Sequence, residues 1–222
     1  MSTEEMIAKA PEGVEVVRVR LPGPLPTLDF DRLVVGATEH LTPAQAEQVA
    51  DHDPVYWVRS PQPSWLASWF REARLLVWPS HEVAAAHPWS DAPYEVCPAP
   101  LDVDAIPQGV PKEDFVLWAG RDIGHKGRDQ ARAFVAEKGL RLVELTDVPR
   151  KTVLEHMGRA RWFVHMPVGF VDPCPRTVIE AEIAGCEVWV NDRVGRVPVR
   201  GAAEVAEYIR RVPGRFWSWV LT

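Results

Sequence analysis

The chain has 222 residues, a hydrophobic fraction of 46% and a formal net charge of −6. This length suits one large domain or two small ones. The acidic balance argues against general affinity for nucleic acid or for an anionic membrane surface.

Targeting signals and cysteines bear on where the protein works. No segment approaches the roughly 18 apolar residues of a membrane-spanning helix. The N-terminal "MSTEEMIAKAPEG" carries no apolar stretch of the kind found in a signal peptide. Cys97, Cys174 and Cys186 are odd in number, far apart and without metal-ligand spacing. We therefore expect a cytoplasmic protein without a zinc site.

The first half of the sequence alternates short apolar segments with helical patterns. Candidate strands lie at 14–19, 32–37, 55–59, 75–80 and 94–98. Thr42 followed by Pro43 is a strong helix start, because threonine caps and proline fits the first turn. Residues 64–73 predict a second helix, and Ser80 can cap a third. A proline-rich stretch at 98–114 then marks a domain boundary.

The second half alternates more regularly. Strands are predicted at 115–119, 140–145, 161–166 and 187–190. Helices are predicted at 127–138, from Pro149 onward, and within "DPCPRTVIEAEIAG" (172–185). Strands that alternate with helices of about a dozen residues indicate parallel βαβ units. The fold class is therefore α/β, with a doubly wound sheet whose ligands bind at the carboxyl ends of its strands.

The loop "AGRDIGHKGRDQ" is the first candidate site. Arg121 and Lys126 follow a strand and precede a helix N-terminus, where cations and free backbone N–H groups suit a phosphate. The alternative is a solvated basic loop whose arginine forms a surface ion pair.

The stretch "DPCPRTVIEAEIAG" is the second candidate site. Asp172 and Glu180 are eight positions apart, the first in a loop and the second on an apolar helix. Acids near a helix N-terminus stabilise its dipole, which is the simplest interpretation of both. It does not account for their spacing. The alternative places Glu180 at the crevice, where its carboxylate can accept two hydrogen bonds from a vicinal diol such as a ribose.

Together, "FVLWAGRDIGHKG" and "LEHMGRARWFVHMPVGFVDPCPRTVIEAEIAGCEVWVND" resemble the nucleotide-sugar domain of group 1 glycosyltransferases. The resemblance covers roughly residues 75–192. It implies the GT-B-like fold, in which two Rossmann-like doubly wound domains face a central cleft. It assigns Arg121 and Lys126 to the donor diphosphate, Glu180 to the ribose and Asp172 to the transferred sugar. It completes the donor contacts with Gly120, Cys174, Arg176, Thr177 and Val178.

The resemblance also implies the reaction and the domain layout. The expected reaction is sugar transfer from a nucleotide-diphosphate sugar, retaining the anomeric configuration and requiring neither cofactor nor obligatory metal. The expected domains are 1–108 (a shortened acceptor side), 109–205 (the donor side) and 206–222. In the last of these, the aromatic "FWSWV" is expected to pack back on the first domain rather than against a membrane.

Two departures from the family pattern support an alternative. The first motif acid is Asp172 where glutamate is usual, and Pro175 stands where a glycine usually offers its N–H to phosphate. Arg176 can replace the lost donor. A catalytically degenerate nucleotide-sugar binding or regulatory module is therefore the second hypothesis. A dinucleotide-dependent oxidoreductase is the third and weakest, because no G-x-G-x-x-G follows a predicted strand.

The acceptor side is the least informative part of the sequence. Polar residues at predicted strand ends there are Glu39, His40, Arg59 and Ser60, and no general base can be chosen among them. Trp65 and Trp69, four residues apart, form either a stacking platform or, more often, core. The acceptor, the donor base and sugar, and the oligomeric state are left open.

Overall fold

The computed structural model describes residues 6–16, 32–36, 38, 41–58, 62, 66–87 and 92–222. The chain divides into two compact units. The first unit comprises Met1–Pro100 with Arg211–Thr222, and the second comprises Leu101–Arg210. The domain ends expected from the sequence, at 108 and 205, differ from these divisions by eight and by five residues.

The first unit contains a parallel sheet of four short strands in chain order. They are β1 (Val34–Gly36), β2 (Val55–Trp57), β3 (Leu75–Trp78) and β4 (Tyr94–Val96). Its helices are α1 (Pro43–Ala50), α2 (Ala67–Arg71) and α3 (His81–Ala85). The strand predicted at 14–19 is not formed over residues 14–16, because Val14 N–H donates to Pro11 O and closes a turn. Its remaining residues lie outside the described ranges.

Local capping explains where two helices of the first unit, α1 and α3, begin. Thr42 and Gln45 form a capping box: Thr42 Oγ1 accepts from Gln45 N–H at 3.3 Å, and Gln45 Oε1 accepts from Thr42 N–H at 3.0 Å. Ser80 Oγ accepts from Val83 N–H at 3.4 Å and starts α3. Both starts were predicted from the sequence because a cap depends on neighbouring residues alone.

The second unit is built on four parallel strands whose spatial order differs from chain order. The strands are β5 (Glu113–Gly120), β6 (Leu142–Thr146), β7 (Ala160–His165) and β8 (Glu187–Val190). They lie in the order β6-β5-β7-β8. The helices are α4 (Arg128–Glu137), α5 (Arg150–Arg159) and α6 (Arg176–Ile183). The chain reverses its winding direction between β5 and β7, which makes their carboxyl ends the switch point of the sheet.

The core of the second unit follows from the central position of β5. Its residues 115–119 are all buried, as expected of a parallel strand covered by helices on both faces. Ala131 and Val135 of α4 pack against one face. Lys112 Nζ donates to Gly158 O at 2.8 Å and to Ala184 O at 2.7 Å, which satisfies carbonyl groups at the ends of α5 and α6.

The last helix, α7 (Ala202–Leu221), is longer than the sequence predicted, because it continues through Pro213 and takes in "FWSWV". Trp217 Nε1 donates to Met6 O at 3.0 Å, and the ring of Phe216 lies 5.0 Å from that of Trp57. Both aromatic side chains are buried in the first unit. Among the described residues, no helix combines the length and the apolar character needed to cross a membrane.

Candidate functional site

The two sequence motifs meet at the carboxyl end of the sheet in the second unit. The first motif forms the loop after β5, and the second forms the segment after β7 together with the start of α6. Since β5 and β7 are neighbours on either side of the switch point, the fold brings together two segments that are about 50 residues apart.

A close backbone approach joins the two loops. Gly127 has a φ of +72°, and a Cβ atom at this position would lie 1.7 Å from Met166 O. Val168 N–H donates to His125 O at 2.9 Å beside it. Only glycine permits both this backbone conformation and this approach. Gly127 therefore sets how closely the loop that carries Lys126 lies to the segment that carries Asp172.

Lys126 and Asp172 form the central ion pair of the site. Lys126 Nζ lies 2.7 Å from Asp172 Oδ2, and His165 Nε2 lies 2.8 Å from the same oxygen. Asp172 is only 3% exposed. Burial acts to raise the pKa of Asp172, but the hydrogen bonds from His165 and Lys126 outweigh it and hold that pKa below its usual range. The carboxylate is therefore ionised and oriented.

The backbone around Asp172 is held as firmly as its side chain. Asp172 N–H donates to Arg193 O at 2.8 Å, and Gly195 N–H donates to Asp172 O at 2.9 Å. Cys174 N–H donates to the same carbonyl oxygen at 2.8 Å, and Cys174 has a φ of +104°. Such a conformation costs a non-glycine residue about 1–3 kcal/mol and persists only where its surroundings impose it.

Glu180 has a different partner, from α5. Arg150 donates to Glu180 Oε1 from Nε at 3.1 Å and from Nη2 at 2.8 Å. Arg176 Nη2 approaches the same oxygen at 3.9 Å. The Glu180 side chain is 4% exposed. All three contacts fall on Oε1, and Oε2 is the oxygen that takes none of them.

A cavity of about 350 Å³ opens beside these groups. It is lined by Ala119, Gly120, Arg121, Leu145, Asp147, Val148, Arg150, Val153, Arg176, Thr177 and Glu180. Five of the nine residues assigned by resemblance are among them. Three arginines, two acids and a threonine make the wall polar. Its apolar side chains include Leu145 of β6, Val153 of α5 and Val148 from the loop between them. Such a site suits a flat ring next to an anionic group.

The other four assigned residues lie outside this lining. Lys126 and Asp172 are engaged with each other. Cys174 and Val178 are 8% and 1% exposed, so their side chains belong to the packing of the segment. Pro175 caps α6 with no side-chain hydrogen bond, and the first helical residues are Arg176 and Thr177.

Two residues of the site were not identified from the sequence. Arg150 is the first residue of α5, directly after the loop that follows β6, and His165 is the last residue of β7. A polar residue at the carboxyl end of a buried strand, or just after it, is the signal that could have found both. Their partners are not visible in the sequence, since both contacts cross between different elements.

The acceptor-side candidates are not placed by the structure. Glu39, His40, Arg59, Ser60 and Trp65 lie outside the described residues. Trp69 is half-buried on α2, and its indole Nε1 is buried with no hydrogen-bond partner among the described residues.

Known proteins resemble this chain in fold but not in sequence. No protein-family model and no curated protein sequence matches it. AviGT4, a glycosyltransferase involved in avilamycin A biosynthesis, aligns over 88% of this chain and 71% of its own, with 19% identity and a TM-score of 0.53. The GtfA/B complex aligns over 83% of this chain and 51% of its own, with 12% identity and a TM-score of 0.51. This chain thus spans about half the length of the second protein.

The likeness to these structures is a likeness of fold, and both sheets of this chain are parallel. Each unit is a parallel α/β layer structure, as the sequence predicted. The chain has the GT-B-like α/β fold with two Rossmann-like units.

Proposed function

We propose that this chain is a glycosyltransferase that binds a nucleotide-diphosphate sugar in the second unit and transfers the sugar to an acceptor. The observation that carries the proposal is the meeting of the two motifs. Lys126 Nζ of the first lies 2.7 Å from Asp172 Oδ2 of the second. Arg121 and Glu180, one from each motif, line the same cavity. That AviGT4 is a glycosyltransferase supports the proposal.

In the proposed donor pose, each polar group of the site contacts one part of the nucleotide-diphosphate sugar. The ribose hydroxyls donate to Oε2 of Glu180, because Oε1 already accepts from Arg150. The diphosphate lies towards Arg121 and Lys126. The transferred sugar lies against Asp172, whose orientation is set by His165 and by backbone hydrogen bonds. The base occupies the apolar part of the cavity near Leu145, Val148 and Val153.

The proposed chemistry is electrostatic. As the bond between the sugar and the diphosphate breaks, positive charge develops on the sugar carbon and negative charge on the leaving phosphate. Arg121 and Lys126 lie beside that phosphate in this pose and stabilise the developing charge, and Lys126 is already held in place by Asp172. These side chains supply the charge that a metal ion would otherwise supply, so we propose transfer without a metal requirement. Retention of configuration is the outcome that the family resemblance supports.

Arg176 completes the phosphate site in this proposal. Pro175 has no N–H, and the N–H of Cys174 is used by Asp172 O. Two backbone donors are therefore lost to a phosphate at the start of α6. The Arg176 guanidinium lines the cavity directly after them and is 32% exposed, so it can take their place.

The same loss of backbone donors favours a second candidate. If Arg176 does not compensate, the chain binds a nucleotide sugar without turning it over, as a regulatory or binding module. The two candidates share the cavity and differ in whether the donor bond is broken.

Thermal unfolding with UDP, GDP, ADP, TDP and NAD tests the binding step. We expect one nucleoside diphosphate to raise the midpoint and NAD not to do so. Stabilisation by NAD alone would make the chain a dinucleotide-binding protein and exclude our proposal.

Donor hydrolysis tests the chemical step. Release of the nucleoside diphosphate is measured for the wild type, Lys126→Ala and Glu180→Ala, with Lys138→Ala as a control because this exposed lysine lies at the end of α4. We expect the first two variants to lose at least about tenfold in rate, since each removes a charged contact. Binding without release in the wild type would favour the module. Full activity of both variants would show that the site lies elsewhere.

The three cysteines are buried and form no disulfide in the described structure. Burial raises the pKa of the Cys97 and Cys186 thiols, to about 12 and about 11, although Arg215 and Lys112 respectively act in the opposite direction. Such thiols are unreactive. They accord with the cytoplasmic location that we propose.

A further inference from the structure

His165 is a buried histidine that the proposed mechanism has not yet used. It is the last residue of β7 and is 3% exposed. Its Nε2 lies 2.8 Å from Asp172 Oδ2, and its Nδ1 is buried with no hydrogen-bond partner among the described residues. A core histidine placed only for packing has no need of a carboxylate partner at this distance.

The hydrogen-bond roles follow from the acceptor. An ionised carboxylate can only accept, so the hydrogen of this bond lies on Nε2 of His165. The same oxygen accepts from Lys126 Nζ at 2.7 Å. His165, Asp172 and Lys126 therefore form a hydrogen-bonded series. It runs from the sheet interior to the ligand side, where the Lys126 side chain is 27% exposed.

Each side chain in this hydrogen-bonded series restricts the position of the next one. The lysine side chain has four rotatable bonds and no intrinsic preference for one position of its ammonium group. Asp172 Oδ2 fixes that position only if its own carboxylate is fixed. Rotation of the carboxylate is opposed by His165, whose ring is enclosed at the end of a central strand. The ammonium group is thereby placed before a ligand arrives, which spares the ligand the entropy of ordering it.

We propose that His165 is a positioning residue that orients Asp172 and, through it, sets Lys126 Nζ for the donor diphosphate. This inference rests on the proposed function, because it assigns Lys126 to a phosphate. The simpler interpretation is that His165 only stabilises the second unit. In that case its loss would weaken the binding of every part of the ligand equally.

Two substitutions separate these interpretations. His165→Leu has a similar volume and no donor. His165→Gln keeps an amide N–H that can reach the place of Nε2. Circular dichroism and thermal unfolding first identify which variants are folded. If the leucine variant does not fold, His165→Asn replaces it in every measurement below, because the shorter asparagine amide does not reach the place of Nε2.

Calorimetric titration then compares two probes for each protein. The probes are the nucleoside diphosphate, among UDP, GDP, ADP and TDP, that binds the wild type, and the corresponding nucleoside. For His165→Leu we expect the affinity for the diphosphate to fall by about tenfold or more, because a charge-assisted contact is misplaced. The affinity for the nucleoside should stay within about twofold, within the additivity error of independent sites. His165→Gln should recover most of the loss.

A double substitution tests whether His165 acts through the lysine. In a Lys126→Met background, His165→Leu should weaken diphosphate binding by no more than about twofold, since its target is already removed. An equal loss for nucleoside and diphosphate would show a general structural role and overturn the proposal. The proposal would also be overturned if His165→Leu weakened diphosphate binding in the Lys126→Met background as much as it does in the wild type.

A measurement without ligand keeps this inference separate from the proposed function. Lys126 is labelled with acetic anhydride, and the modified peptide is quantified by mass spectrometry, with Lys138 of the same protein as the internal reference. If His165 holds Asp172 and Lys126 in place, His165→Leu should label Lys126 several-fold faster and His165→Gln should not. Equal labelling in all three proteins overturns the positioning role. Failure of the wild type to bind any nucleoside diphosphate overturns the proposed function instead.

Discussion

At the scale of single residues, the site is organised around two buried carboxylates with different partners. Asp172 accepts from a lysine and a histidine, and Glu180 accepts from an arginine. A buried carboxylate without such donors costs several kcal/mol. Each acid is therefore stable only because the fold supplies its cation, and each keeps one oxygen that takes none of these contacts.

The depressed pKa of Asp172 predicts a pH dependence of stability. The hydrogen bonds that outweigh its burial keep the folded carboxylate ionised at a pH where the unfolded one, with a pKa of about 3.9, is protonated. The unfolded state then binds more protons, so the free energy of unfolding rises with pH in that window. This contribution is complete above the unfolded pKa and is lost as the pH falls through the folded pKa.

Asp172→Asn should remove this contribution. At pH 7 we expect a loss of about 2–3 kcal/mol, the usual magnitude for hydrogen bonds to a charged group. Urea unfolding from pH 7 down to about 2.5 should show the two stability curves converging at the acid end. Asp129→Asn, which removes an exposed carboxylate of α4, controls for the loss of one charge. Curves that remain parallel would contradict the prediction.

At the scale of elements, the approach of the β5 loop to the β7 loop depends on one glycine. Gly127→Ala places a Cβ atom 1.7 Å from Met166 O, at a φ of +72°. Backbone atoms must then move, and we expect a loss of more than about 2 kcal/mol in the free energy of unfolding. Nucleoside diphosphate affinity should fall as well, because Lys126 precedes this residue.

Gly139→Ala is the matched control for that substitution. Gly139 also has a positive φ, +64°, but no atom lies within 4 Å of the Cβ position. It should therefore show only the conformational cost of about 1 kcal/mol, with unchanged ligand affinity. Equal destabilisation by the two substitutions, measured by chemical denaturation, would mean that the contact with Met166 is not the cause.

At the scale of the whole molecule, the C-terminal residues stabilise the unit that does not carry the donor site. Phe216 is 2% exposed and packs against Trp57 in the first unit. Phe216→Ala should lower the free energy of unfolding of that unit by about 3–5 kcal/mol. Leu221→Ala, at a side chain 45% exposed, should cost less than about 1 kcal/mol.

The same pair of substitutions tests where the ligand binds. All the donor contacts that we propose lie in Leu101–Arg210. While the protein is folded, Phe216→Ala should therefore leave nucleoside diphosphate affinity within about twofold of the wild type. A loss of affinity as large as the loss of stability would show that the donor site does not belong to the second unit alone.

Much of the second unit follows from local patterns. The β8 strand was predicted with its observed ends, and α4 and α6 within one to four residues of theirs. Hydrophobic periodicity and caps depend on neighbouring residues, and a sequence displays them directly. In the first half, the predictions at 32–37, 55–59, 75–80 and 94–98 each contain an observed strand, and three or four residues show too little of a period to fix the ends.

The sequence by itself determined the alternation of strands and helices, the two motifs and their order along the chain. Only the tertiary structure decided which charged groups meet. Arg150 and Glu180 are 30 positions apart, and Lys126 and Asp172 are 46 apart. These pairs exist because β6 and β7 lie on opposite sides of β5 and all three strands end at the same edge. Strand order is a property of the packed sheet, and no local pattern encodes it.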